Sequence, residues 1–195
     1  MNTTTRKILC TLVKDFSSMH TASSLAPKLQ MSRWGIWKVI KRLEKEELIL
    51  LQDTGKGKTS TKTIHLNWKN NITEKTITLA LAQEAEIQKR WKFVFADLEP
   101  EADFVILFGS ILPSPKTAAD IDIITVAKQT NLLKVNKVIE NIQKTQEKKI
   151  HTHNCTAIEL RQELQKGNKI FIDATYRGVV LFGQEKFIQF IRRLP

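Results

Sequence analysis

The sequence predicts an α+β protein in two parts, residues 1–70 and 71–195. Three helices and a β-hairpin are expected first, and a second sheet flanked by helices after them. Apolar residues recur at three- and four-residue spacing before residue 47 and after residue 130, which is typical of amphipathic helices. Apolar runs at 104–108 and 121–126 have the length of buried strands. With 42% hydrophobic and 26% charged residues, each part can bury a core.

Positive charge is concentrated in the first part. The formal net charge is +11. Residues 1–70 hold 13 Lys and Arg against 5 Asp and Glu, whereas residues 71–195 hold 18 against 15. This asymmetry favours an acidic polymer as the partner of the first part. Nucleic acid is the main expectation, and an anionic membrane surface is the alternative.

The composition gives no sign of a membrane or secreted protein. No uninterrupted apolar run approaches the roughly 18 residues of a membrane span, and residues 1–14 lack the apolar stretch of a secretory signal. Cys10 and Cys155 form no C-x-x-C unit and are expected to be reduced apolar side chains. The expected location is cytoplasmic, with no membrane partner.

Three helices are expected before residue 47. Apolar spacing predicts the first from about Thr4 to Asp15 and a short second helix from Ser24 to Leu29, and Ser32 can cap a third that runs to about Glu46. The third helix has one apolar face, and at 100° per residue an aromatic residue and several cations fall on the opposite side or at its margins. These residues are Arg33, Trp34, Lys38, Lys41 and Arg42. The pattern suits insertion into a major groove, and a solvated basic face is the alternative.

A β-hairpin is expected next. Leu48–Gln52 and Thr61–Leu66 have the composition of strands, and residues 53–58 form a Gly-rich basic turn. With the preceding helices, carried by residues 23–32 and 39–49, this layout resembles the winged helix-turn-helix superfamily of prokaryotic regulators. The resemblance implies binding of double-stranded DNA, with the third helix meeting bases or phosphates and the hairpin contacting the backbone or minor groove. The hairpin residues are Lys56, Lys58 and Lys62. Because such regulators are often dimers, a homodimer is expected by analogy.

A long helix is expected to open the second part. Asn71 can cap it, and Glu74 three residues later completes a capping box. The charged and apolar sequence that follows contains no Gly or Pro and predicts one helix from Ile72 to Phe95. This helix would link the two parts.

The residues that suggest chemistry follow this helix. The buried strand 104–108 ends in Gly109-Ser110, and nine residues later Asp120-x-Asp122 opens a second strand. Side chains two apart on a strand share a face, so the two carboxylates lie together and repel each other unless a cation separates them. Mg²⁺ prefers carboxylate and phosphate oxygens. Gly109 lets a phosphate approach the backbone, and Ser110 adds a hydroxyl.

The G-S-x9-D-x-D spacing between apolar strands resembles the nucleotidyltransferase superfamily, including the minimal nucleotidyltransferases of prokaryotes. The layout matches over about residues 75–193, and the specific motif is confined to 109–122. The resemblance implies a mixed sheet flanked by helices. It also implies that Asp120 and Asp122 hold Mg²⁺ and that Gly109 and Ser110 hold ATP or another NTP. The remaining expected elements are a helix 131–147, a strand 148–155, a helix 157–166, a strand or turn 179–183 and a final helix 184–193.

The chain departs from this superfamily in two places. Active members carry a third carboxylate on the third strand, and residues 149–155 contain no acid; the turn after Ser110 holds Pro113-Ser114-Pro115 where small residues are usual. Two-metal activation normally needs all three carboxylates. His151, His153 and Cys155 share one face of that strand. Three interpretations stay open: a substitute metal site with Asp120 and Asp122, a general base at His153, or a strand without chemistry.

Two functions from different classes follow from these patterns. The first is an enzyme: a DNA-tethered nucleotidyltransferase that moves a nucleotide from an NTP to a protein or small molecule. The second is a catalytically inactive transcription regulator, or an antitoxin-like protein that pairs with a partner protein. The missing carboxylate favours the second, and the retained G-S and D-x-D favour nucleotide binding in either case.

Overall fold

A computed structural model describes residues 1–55 and 61–194. The chain divides into two compact units, Met1–Ala80 and Leu81–Pro195. Each unit combines helices with a small β-sheet, so the predicted α+β class is confirmed. Within the described ranges, no helix has both the length and the apolar character needed to cross a membrane.

Before residue 70, the described residues form three helices and one antiparallel strand pair. They are α1 (Thr3–Lys14), α2 (Ala22–Lys28), α3 (Arg33–Lys45), β1 (Ile49–Thr54) and β2 (Thr61–Leu66). Every bound lies within two residues of its predicted position, because apolar spacing and turn residues are local signals. Asn2, Thr21 and Ser32 each accept a hydrogen bond from the backbone N–H three residues later, which satisfies a donor at the first turn of each helix.

The third helix presents one face to the core of the first unit. Ile36, Ile40 and Leu43 are fully buried, as the three- and four-residue spacing predicted. On another side of the helix, Trp34 is 72% exposed. Burial of one face therefore leaves the cationic face of α3 open to solvent.

The predicted single helix from Ile72 to Phe95 is wrong, because the chain forms two helices. They are α4 (Asn71–Ile87) and α5 (Lys89–Val94), interrupted at Gln88, whose backbone (φ −97°, ψ 40°) is not helical. Beyond the break, Trp91 and Phe95 are both buried in the second unit. The predicted Asn71 cap is also wrong by one residue, because the Asn70 side chain accepts the Ile72 N–H at 2.9 Å.

Four strands form a mixed sheet in the second unit, in the order β5-β4-β3-β6. The strands are β3 (Phe104–Phe108), β4 (Asp120–Val126), β5 (Lys149–Cys155) and β6 (Val179–Phe182). β3 pairs antiparallel with β4 and with β6, whereas β4 and β5 run parallel. All five residues of β3 are buried. The strand that precedes Gly109 is thus a buried interior strand, and β4 holds the Asp-x-Asp pair next to it.

Helices cover this sheet. They are α6 (Leu132–Gln143), α7 (Ala157–Gln165), α8 (Lys169–Arg177) and α9 (Gln184–Arg192). Residues 167–178 carry no predicted helix or strand, but they contain α8. There Asn168 caps α8, and Phe171, Ala174 and Thr175 are buried. The expected helix 131–147 ends early, at Gln143, whose side chain accepts the Ile150 N–H at 2.7 Å and donates to the Lys148 carbonyl at 3.1 Å.

Candidate metal centre and candidate nucleic-acid interface

The exposed face of α3 carries three of the predicted DNA-contacting residues. Arg33, Trp34 and Lys38 are exposed, and neither cation pairs with an acidic side chain in the part of the chain that the structure describes. The Lys38 ammonium lies 5.6 Å from the centre of the Trp34 ring, within the range of a cation–π contact. This face therefore offers two unneutralised cations and one exposed aromatic ring.

Lys41 and Arg42 are also exposed, but they have partners within the unit. Lys41 bonds to Glu44 and lies 5.7 Å from the centre of the Trp37 ring. Arg42 donates to the Thr5 hydroxyl, and its Nε lies 3.8 Å from Glu46. A phosphate would have to compete with these contacts, so these two residues are less available to an external anion than Arg33 and Lys38.

Of the three predicted hairpin residues, the structure describes only Lys62. Lys62 pairs with Asp53 across the strands at 3.4 Å, whereas Lys56 and Lys58 lie outside the described residues. A cleft of about 570 Å³ opens beside the hairpin. Its walls come from the start of α2, from α3 and from β2, and its lining includes Thr21, Ser23, Arg33, Trp34, Trp37 and Lys62.

In the second unit, two carboxylates and one imidazole converge at the start of β4. Parallel pairing of β4 and β5 sets Asp122 opposite His151. His151 Nδ1 lies 3.2 Å from Asp120 Oδ2 and 3.6 Å from Asp122 Oδ1. One ligand atom from each of the three residues lies within 4.8 Å of the other two. The three side chains are 25–45% exposed, so they are partly desolvated yet open on one side.

Gly109 lies directly against this cluster. Its φ is +79°, and a Cβ at this position would be 2.2 Å from Asp122 Oδ2. Phe108, the residue before it, pairs with Asp122 across the two strands. Only glycine leaves room here for the carboxylate, so Asp122 points at the Gly109-Ser110 turn. The sequence interpretation assigned this space to a phosphate. Ser110 is exposed in a single 3₁₀ turn, Gly109–Ile111.

Burial raises the pKa of Asp122, and the negative charge of Asp120 raises it further, while His151 and His153 act in the opposite direction. The ionised carboxylate therefore lacks full compensation from the protein itself. A cation placed beside both aspartates would supply the missing positive charge. Two carboxylate oxygens and one imidazole nitrogen are a donor set that divalent cations accept.

The other two polar residues on this face of β5 lie outside the three-residue cluster. The ring of His153 packs 5.3 Å from that of Phe171, and the residue lines a cleft of about 560 Å³ together with Asp122 and His151. Cys155 is buried, which raises the pKa of its thiol to about 12, with Glu159 and Glu163 contributing. Cys155 is not part of the cluster formed by Asp120, Asp122 and His151.

His151 was named in the sequence only as part of an alternative site. The alternation His151-x-His153-x-Cys155 identifies a shared face but does not say which residue lies beside the aspartates. The deciding feature is the register of β4 on β5, which pairs Asp122 with His151 and Ile124 with His153. A register between strands separated by a helix cannot be deduced from local sequence.

Comparisons with known proteins found no match: no family model, no curated protein and no solved structure is similar to this chain at a significant level.

Proposed function

We propose that the first unit binds double-stranded DNA through α3 and the β1–β2 hairpin. The observation that carries this proposal is the exposed pair Arg33 and Lys38, which no described acidic side chain neutralises. The uneven charge of the chain supports it, because the excess lies in the same segment. The layout of helices and hairpin supports it through its resemblance to the winged helix-turn-helix superfamily.

A salt titration with charge-reversal variants tests the DNA proposal. The association constant of the wild-type chain for a duplex should fall steeply with salt, by a slope of about −0.9 per phosphate contacted. Arg33→Glu and Lys38→Glu should each weaken binding and make that slope shallower by about one. Lys7→Glu, the same change at an exposed residue of α1, is the matched control. Equal losses in all three variants would refute a role for α3.

We propose that the second unit binds a nucleoside triphosphate together with a divalent cation. The observation that carries this half is the convergence of Asp120 and Asp122 beside Gly109. These aspartates would hold the cation, for which Mg²⁺ is the sequence-based expectation, and the Gly109-Ser110 turn would meet the phosphates. The adjacent cleft of about 560 Å³ has room for such a ligand.

In the enzymatic form of this proposal, an acceptor hydroxyl attacks the α-phosphorus of the nucleotide. The bond between the α-phosphorus and the oxygen that bridges it to the β-phosphate breaks, and pyrophosphate leaves. The hydroxyl proton passes to a base. His153 lines the cleft, and its role as that base stays a prediction. The acceptor would belong to a protein or a small molecule.

A catalytically inactive regulator is the second candidate, and one observation favours it. The residue beside Asp122 on β5 is His151, where active members of the resembled superfamily carry a carboxylate. Such a protein would couple DNA binding to nucleotide or to a partner protein without turning the nucleotide over.

Labelled ATP separates the two candidates. An enzyme should transfer label from [α-³²P]ATP but not from [γ-³²P]ATP, and Asp120→Asn or Asp122→Asn should abolish transfer. Asp97→Asn, at an exposed carboxylate of the same unit, should leave it intact. Cation-dependent ATP binding without transfer would favour the regulator. Absence of both binding and transfer would refute the nucleotide proposal.

A further inference from the structure

The cation site of the second unit has a donor set that differs from one built only of carboxylates. It brings together Asp120, Asp122 and His151, so one of its three donors is an imidazole nitrogen. Carboxylate oxygens suit Mg²⁺, Ca²⁺ and Mn²⁺, whereas imidazole suits later first-row metals such as Zn²⁺ and Fe²⁺. Mg²⁺ takes oxygen ligands almost exclusively and parts with its water reluctantly.

The geometry is compatible with His151 as a ligand. Neighbouring ligands of one ion at about 2.1 Å lie roughly 3.0–3.4 Å apart. His151 Nδ1 lies 3.2 Å and 3.6 Å from the nearest oxygens of the two aspartates. The nitrogen that faces the carboxylates is thus already close to a ligand position.

The strands hold these donors in place. Asp122 and His151 are paired residues of adjacent parallel strands, and Gly109 leaves room for the Asp122 carboxylate. Asp122 and His151 line the adjacent cleft, and a cation held by three protein ligands would have further positions for water or phosphate oxygen.

We propose that His151 is the third ligand of this site and makes it select first-row transition dications, from Mn²⁺ to Zn²⁺, over Mg²⁺. The inference deepens the proposed function, because it rests on the same cation site. The competing assignment is a metal-free ion pair, in which a protonated His151 itself neutralises the two aspartates.

Cation binding is measured on the full chain without nucleotide, by Mn²⁺ electron paramagnetic resonance with Mg²⁺ as competitor. The wild-type protein should prefer Mn²⁺ by about tenfold or more. His151→Ala should weaken Mn²⁺ binding by about tenfold or more, at least the loss that removing an outer-shell partner causes. His151→Asp should shift the preference toward Mg²⁺. His153→Ala, at the other histidine on the same strand face, should retain the preference for Mn²⁺ over Mg²⁺.

Pulsed resonance of the bound Mn²⁺ reports ligation directly. A ¹⁴N coupling should be present in the wild type and in His153→Ala, and absent in His151→Ala. Circular dichroism checks that each variant is folded; His151 is 45% exposed, so its replacement leaves the core intact.

Three results would overturn the inference: no Mn²⁺ binding, as the ion-pair assignment requires; equal affinities for Mn²⁺ and Mg²⁺; or a ¹⁴N coupling that survives in His151→Ala. Failure of the nucleotide proposal gives a different pattern, in which Mn²⁺ binds with a ¹⁴N coupling but ATP does not bind. Conversely, cation-dependent ATP binding together with equal affinities for Mn²⁺ and Mg²⁺ refutes only the present inference.

Discussion

Among single residues, Gly109 provides the space that the Asp122 carboxylate occupies in the candidate metal centre. An added methyl group would overlap Asp122 Oδ2, and the positive φ adds strain. Gly109→Ala should therefore lower the free energy of unfolding by at least about 1–2 kcal/mol and abolish Mn²⁺ binding. Urea unfolding and Mn²⁺ resonance measure the two effects.

Gly167 provides the matched control for this substitution. It has nearly the same φ, +75°, but nothing lies within 4 Å of an added Cβ. Gly167→Ala should lose a similar amount of stability from backbone strain and keep its cation affinity. If both variants kept the cation, the close approach of Asp122 to Gly109 would have no bearing on the site.

Sequence was sufficient to predict that Asp120 and Asp122 lie together, because the period of a strand is local information. It was not sufficient to choose His151 over His153 as their neighbour. That choice depends on how β5 aligns with β4 across an intervening helix. Sequence also did not predict that the Asp122 carboxylate occupies the space beside Gly109, because that contact depends on how β3 pairs with β4.

At the level of elements, Asp15 ties the end of α1 to α2. Its carboxylate accepts hydrogen bonds from Lys28 Nζ and the Ser18 hydroxyl, both at 2.6 Å. His20 Nε2–H donates to the Asp15 carbonyl oxygen at 2.8 Å, and the His20 backbone bonds to Ile64 of β2. One buried acid thus holds together the connection that positions α2 and the hairpin around α3.

The pH dependence of this contact has a definite sign. Burial acts to raise the pKa of Asp15, but the hydrogen bonds from Lys28 and Ser18 and the charges of His20 and Lys28 outweigh it, so the pKa lies below the ordinary 3.8. Stability from this group is complete above about pH 4 and is lost as pH falls through the lowered pKa. Asp15→Asn should cost about 2 kcal/mol at pH 7, and the cost should shrink below pH 4.

Urea unfolding across this pH range measures the difference between variant and wild type. Asp97→Asn, at an exposed carboxylate, should change the free energy of unfolding by no more than about 0.5 kcal/mol at any pH. A cost for Asp15→Asn that stayed constant down to pH 2 would contradict the assignment.

Elements were predictable from sequence where their ends carry local signals. The side chain of Ser32 caps its helix as expected. The interruption at Gln88 carries no Gly or Pro, and it coincides with burial of Trp91 and Phe95, which is a tertiary effect. Helix α8 was not predicted for a similar reason, because the burial of its apolar residues depends on tertiary packing.

For the whole molecule, the two compact units raise the question of whether they unfold separately. One buried apolar cluster of the second unit has its members between residues 85 and 182. The first unit has its own buried residues, such as Ile8, Leu25 and Ile40. Since each compact unit contains buried apolar residues of its own, we expect two cooperative transitions rather than one.

The tryptophans allow this expectation to be tested together with the metal centre. Trp34, Trp37 and Trp68 lie in the first unit, and Trp91, which is buried, is the only tryptophan of the second. A Trp91→Phe variant therefore reports on the first unit, and a variant with the other three replaced by Phe reports on the second.

Mn²⁺ at 100 times its dissociation constant should raise the free energy of unfolding seen by Trp91 by about 2.7 kcal/mol. The signal of the first unit should not move, and Asp122→Asn should abolish the shift. Equal shifts in both reporters would mean that the chain unfolds in one cooperative transition. No shift in either reporter would contradict cation binding by the second unit.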